Sequence, residues 1–285
     1  MNFFDIFYLA TLYQNSNQMT IQILLVLVFT LIIHLVSTLS YSVRIVGIRT
    51  RKIAISFALF NIMVLISRTS NSFQAPLLAK WIENNINLGI NPGTFEIRLI
   101  LAATTLATII GGLLVPTFQR VLSSAVENFS LHKSVPRLIL HGFTKTGINQ
   151  FKKELKLPDR RNFAVDKSLW ADFPVKLFVY NILAVAILTV GVLSSLYAGF
   201  IEPDLRTTSS TLSAVVNGLA TILMFVFIDP YLSGLTDDVI EGKFSEIRFR
   251  KIIRLMIVSR LLGTLAAQLL LVPFSRFIAW IATVI

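Results

Sequence analysis

The stretch IQILLVLVFTLIIHLVSTLSYSVR, residues 21–44, carries no charged side chain before Arg44. A helix needs about 20 mostly apolar residues to cross a hydrocarbon core of about 30 Å, so this run is long enough. A helix on a soluble surface would break its apolar residues with charge every three or four positions. Here they point in every direction. Five further stretches read the same way, at about 53–79, 97–118, 175–200, 209–228 and 252–272. The pattern predicts an all-α integral membrane protein with six transmembrane helices, forming a single polytopic domain over residues 1–285.

Composition agrees. Hydrophobic residues make up 54% of the chain and charged residues 14%, with a mean hydropathy of +0.73, whereas a soluble domain carries about 25% charged residues. With no cysteine, disulfides, thiolate metal sites, cysteine nucleophiles and sulfur-linked lipids are all excluded. The segment before Met19 has no basic residue and does not read as a secretory signal. It reads as an interfacial helix from Phe3 to Leu12, or as an extension ahead of a start at Met19. The 13 residues from Pro273 onward are too few to cross, and proline does not continue a helix cleanly. A kink followed by an interfacial or re-entrant piece is expected there instead of a seventh span.

Twenty of the 26 lysines and arginines fall in 44–52, 120–176 and 229–254, and only three in the alternate loops. Because basic residues accumulate on the cytoplasmic side, both termini are expected outside and the three basic loops inside. The loop at about 120–173 is too polar to span. Its Lys145, Lys152, Lys153, Lys156, Arg160 and Arg161 are interleaved with Phe143, Ile148, Phe151, Leu155 and Leu157. That reads equally as a basic amphipathic helix on anionic membrane lipid or as a solvated positive loop. No module for nucleic acid is present, so none is expected as a partner. A homo-oligomer is compatible with the sequence, which does not set the oligomeric state.

The remaining three cations are Arg68, Arg260 and Arg276. Arg68 falls near the middle of the second span and Arg260 about 12 Å into the sixth. An arginine at such depth costs about 2.5–3.5 kcal/mol on insertion scales. It must pair with an acid, face water, or meet an anion. None of the 15 acidic residues falls within the body of a predicted span, Asp229 at the inner end of the fifth coming closest. Guanidiniums lining a wet cavity would then form an anion site, for which their planar forks suit phosphate. The plainer alternative is that backbone carbonyls and polar side chains solvate each arginine inside the bundle. Arg276 reads as an anchor at the outer interface.

Polar stripes support the cavity. Asn61, Arg68, Asn71, Ser72 and Ala75 share one face of the second span, and Thr30, His34, Ser37, Thr38, Tyr41 and Arg44 one face of the first. Arg260, Thr264 and Gln268 form a third, and Ser213, Asn217 and Thr221 a fourth. Such stripes also hold helices together. His34 invites a proton-relay reading, but without a membrane carboxylate beside it hydrogen-bonding scaffold or cavity lining is preferred. The histidines lack metal-ligand spacing, and neither a phosphate-binding loop nor a Gly-x-Ser-x-Gly elbow occurs. Neither an enzyme nor a cofactor is expected.

The segments Ser37–Arg44 (STLSYSVR), Arg49–Lys52 (RTRK), Ser67–Asn71 (SRTSN) and Gln74–Pro76 (QAP) together resemble the alternate lipid II flippase family, Amj. The resemblance implies a multi-pass protein of the bacterial cytoplasmic membrane. It would translocate lipid II, the undecaprenyl-pyrophosphate-linked peptidoglycan precursor, alongside or in place of a MurJ-type flippase. On that reading Arg68, in its Ser67–Asn71 block, engages pyrophosphate, and Arg44 gathers it at the inner mouth. Asn71, Gln74 and Tyr41 supply hydrogen bonds, His34 lines the cavity, and Arg260 contributes from the facing helix. With no motif for ATP, the membrane potential would drive a net negative cargo outward at about 2.3 kcal/mol per charge per 100 mV. Two other readings use the same residues differently: a transporter of another anionic lipid or anion, and a non-transporting scaffold for cell-wall enzymes.

Overall fold

The computed structural model describes residues 21–89, 94–132, 144–154 and 174–285, all of them helical or in short turns. Six helices are long and apolar enough to cross a membrane: Ile21–Thr50, Ile53–Asn87, Phe95–Phe129, Val175–Ile201, Pro203–Ile240 and Glu246–Val284. All six expected spans are therefore present, each longer than its apolar stretch. The expected helix at 3–12 lies outside the described residues, as does the part of the basic loop around Lys156, Arg160 and Arg161.

The first span is α1 (Ile21–Leu39) and α2 (Tyr41–Thr50), separated at Ser40. The hydroxyls of Ser37, Ser40 and Ser42 donate to the carbonyls of Ile33, Ser37 and Leu39, drawing on backbone acceptors that the helix itself uses. The second span, α3 (Ile53–Asn87), and the third, α4 (Phe95–His132), run through Pro76 and Pro116. A short amphipathic helix, α5 (Lys145–Glu154), follows, tied to α4 by Arg120–Glu154 at 3.7 Å. The fourth span is α6 (Val175–Ile201). The fifth is compound: a 3₁₀ turn at Pro203–Leu205, α7 (Arg206–Leu223), a π turn at Met224–Ile228, and α8 (Asp229–Ile240). The π turn absorbs the ladder offset caused by Pro230, which has no N–H to donate.

The sixth span, α9 (Glu246–Val284), corrects one expectation. The tail after Pro273 is not a re-entrant piece; it continues the same helix to Val284. Pro273 removes one backbone bond, which membrane helices tolerate where neighbours hold the segment. Here Ser275, Ile278, Ala279 and Ala282 are buried, and Ile278 and Ala279 pack with Ala198 of α6 and Val216 of α7.

α6 is the central stave, with α7 and α9 packed along it. Its Gly191 and Gly199 allow close approach to Val216 and to the Arg206 backbone, as small residues do between membrane helices. Two large apolar cores result. One lies at the end bearing Arg49 and Glu246, here the basic end, and joins α2, α6, the π turn and α9 through Ile45, Phe178, Ile228, Phe249 and Met256. The other, at the far end, joins α1, α3, α4, α6 and α9 through Val26, Leu78, Ile100, Leu193 and Leu271.

Gly263 of α9 faces α6 so closely that an added Cβ would lie 2.8 Å from Val185 Cβ and 2.9 Å from the Ile182 carbonyl oxygen. Gly263→Val is expected to lower stability by about 1–3 kcal/mol through overpacking. Gly218→Ala, where nothing lies within 4 Å, should leave stability intact. Melting of the detergent-solubilised variants checks both.

Candidate functional site

The two exposed sides of α3 differ chemically. Ile66 and Phe73 are more than half exposed on one side, as suits lipid contact, and Leu65, also exposed, lies between that side and Arg68. On another face lie Phe57, Asn61, Arg68, Ala75, Ala79, Ile82 and Ile86, at steps of three, four and seven residues. The ends of that face are closed. At the basic end the Phe57 ring lies under the Arg44 guanidinium, 5.3 Å from Cζ to centroid. At the far end Ala79, Ile82 and Ile86 meet Leu196 and Gly199 of α6 and Arg206, Thr207 and Ser210 of α7 around a pocket of about 80 Å³.

Between these closures α3 and α7 make no extended contact. Asn61, Arg68 and Asn71 are exposed there. Arg68 has no hydrogen-bond or ion-pair partner among the described residues; its backbone carbonyl accepts from Ser72. Arg68 is thus an exposed guanidinium partway along the stretch of α3 that lies between those two points of contact.

Arg44 belongs to the closure at the basic end. Its Nη1 donates to Ser233 Oγ at 2.9 Å and its Nη2 to Asp229 Oδ1 at 3.3 Å, both on α8. Asp229, expected at the inner end of the fifth span, starts α8 and gives Arg44 a counter-ion there.

Arg260 takes the plainer alternative. It is 4% exposed, and its Nε donates to Thr38 Oγ1 at 3.2 Å. Thr38 in turn donates to the His34 carbonyl at 2.7 Å. Beside it, Tyr41 donates to Asn181 Oδ1 at 3.1 Å. The Asn181 amide donates to Ser259 Oγ at 2.6 Å and to the Met256 carbonyl at 3.0 Å. These bonds stitch α1, α2, α6 and α9 together between the two apolar cores. His34 Nδ1 is buried without a partner among the described residues.

Of the residues predicted for the site, Arg68 and Asn71 are exposed on the open stretch of α3, and Ser67 is half-buried beside them. Gln74 turns instead to α1, donating to Thr30 Oγ1 at 2.8 Å. Arg44 bridges Phe57 of α3 and Asp229 and Ser233 of α8, while Tyr41, His34 and Arg260 gather in the buried cluster. Reasoning from sequence missed Asn181 and Phe57. Asn181 had a signal: it is an amide within the otherwise apolar run LFVYNILAVAIL of residues 177–188.

A family model described as "Amj: Alternate to MurJ" matches residues 29–282. "Lipid II flippase Amj" of Bacillus subtilis (strain 168) is 37% identical over 264 residues, spanning 92% of this chain and 97% of that protein. No solved structure matches.

The geometry separates two kinds of arginine and amide. Arg68→Gln is expected to leave the melting temperature of the purified protein unchanged, within roughly 0.5 kcal/mol, as for a surface substitution without partners. Asn181→Leu should lower stability by about 1–3 kcal/mol by removing the acceptor of the Tyr41 hydroxyl and the bonds to Ser259 and the Met256 carbonyl. Equal effects of the two would contradict this division.

Proposed function

This chain belongs to the Amj family of alternates to MurJ, and from that premise we propose that it flips lipid II across the cytoplasmic membrane through the α3–α7 cleft. The observation carrying the site is Arg68: a guanidinium at mid-span, exposed, and without a partner among the described residues. In a low-dielectric surround such a group attracts an anion strongly. Its forked donors match the oxygens of a diphosphate. Asn71, one turn on, adds an amide to the same wall.

The sugar–peptide headgroup occupies the cleft, and the polyprenyl tail stays in lipid alongside Leu65, Ile66 and Phe73. Nothing covalent in the cargo changes. The basic end faces the cytoplasm, by the bias of lysine and arginine toward that side. There the exposed Lys145, Lys152 and Lys153 of α5 rest on anionic headgroups, at about 1 kcal/mol per basic residue near the surface. Arg260 has a structural role instead, anchoring α9 to the first span behind the cleft.

Arg68→Gln should cut lipid II translocation at least tenfold in proteoliposomes, since a charge-assisted hydrogen bond is worth about 1.5–3 kcal/mol. Arg68→Lys, which keeps charge and loses the fork, should fall between. Translocation by Arg68→Gln at the wild-type rate would remove Arg68 from the site. A scaffold without transport would tolerate Arg68→Gln in cells and fail on loss of Lys152 and Lys153.

A further inference from the structure

Arg44 is held by three groups on two helices, α3 and α8, that border the proposed cleft. Phe57 belongs to α3, on the face that carries Arg68; Asp229 and Ser233 belong to α8 in the opposite wall. The guanidinium thus links α3 to α8 at the basic end of the proposed path. Both backbones depart briefly from regular α-helix near this level, though each span continues as one helix: at Ser40, four residues before Arg44, and at the π turn that ends where Asp229 begins α8. Membrane transporters place irregular helix where a site must open and close. The ion pair is unequal in exposure: the Arg44 side chain is 13% exposed and that of Asp229 is 42%. A bridge with one partner open to solvent is weak, whereas a diphosphate can engage the same guanidinium with two oxygens.

We propose that Asp229 is a displaceable counter-ion. It holds Arg44 across the basic end of the cleft and yields it to the diphosphate of the incoming lipid, which opens that end. Asp229 is a positioning residue acting through Arg44, and the proposal rests on the cleft being the path of lipid II. While the carboxylate occupies Arg44, only a fraction of molecules presents a free guanidinium, and the apparent affinity falls by that fraction. Removing the negative charge therefore strengthens binding. A merely structural aspartate predicts the opposite or no change.

The test measures equilibrium binding of lipid II, and separately of inorganic pyrophosphate, to the full-length protein in nanodiscs. Asp229→Asn should tighten both by about 3–10-fold, corresponding to a free fraction of about one third to one tenth in the wild type. Arg44→Gln should weaken both, and the double variant should behave as Arg44→Gln. Unchanged or weaker binding by folded Asp229→Asn overturns the proposal, as does a gain that persists without Arg44. Should Asp229→Asn not fold, Ser233→Ala releases the other clamp on α8 and should tighten binding about twofold; no tightening overturns the proposal equally. Wild-type protein that ignores lipid II while Asp229→Asn still tightens pyrophosphate would sink the cargo and leave the counter-ion standing. Wild-type binding of lipid II that Asp229→Asn does not improve would sink the counter-ion alone.

Discussion

A guanidinium in the hydrocarbon layer must be solvated by something other than water, and three arginines of this protein meet that constraint in three ways. Arg260 is solvated by neutral groups: the Thr38 hydroxyl bonds it directly, within a cluster stabilised by Tyr41, Asn181 and Ser259. Arg44 is neutralised by a carboxylate and capped by an aromatic ring. Arg68 has neither among the described residues and stands in an open stretch of its helix. The first arrangement fixes structure, because undoing it would strand several buried groups at once. The second is poised between states. Only the third leaves its guanidinium without a partner among the described residues.

The division also explains why α6 is buried and α3 is not. α6 needs no polar face, so small residues press it against α7 and α9, and its single amide, Asn181, serves the cluster behind the cleft. α3 packs along α1 with the face bearing Ser70, Gln74 and Leu78. It also meets α2, α4 and α6, through Leu59 and Phe60 at one end and Trp81 and Ile82 at the other, so only the arc from Asn61 and Arg68 round to Ile66 and Phe73 is left exposed.

Much of this was legible in the sequence. The six apolar runs gave the spans, since in lipid every backbone group must be satisfied within the segment and only helices of sufficient length achieve this. The three- and four-residue stepping of Arg68 and its polar neighbours marked an exposed face of α3. What the sequence hid came from three-dimensional closure. Apolarity ended the fifth span at residue 228, but the helix itself continues, and only packing shows Asp229 reaching Arg44. Arg260 and Arg68 look alike in sequence; whether hydroxyls from α1 surround the guanidinium depends on how α9 is rotated. Pro273 signals a helix stop locally, and burial of Ile278 and Ala279 overrides it.

On the proposed path the two ends of the cleft are held differently, and the difference bears on direction. At the far end α3 meets Leu196 and Gly199 of α6 and Arg206, Thr207 and Ser210 of α7 around a small pocket, and an added Cβ at Gly199 would lie 3.0 Å from Arg206 Cα. Close approach of whole helices holds that end, so parting it requires movement of α3 against α6 and α7. The basic end is bridged by an ion pair, and a second anion would compete with the first for the same guanidinium. On the proposed displacement of Asp229, an arriving diphosphate would open the basic end by its own chemistry. On the orientation expected from the basic loops, that end faces the cytoplasm, where lipid II would arrive.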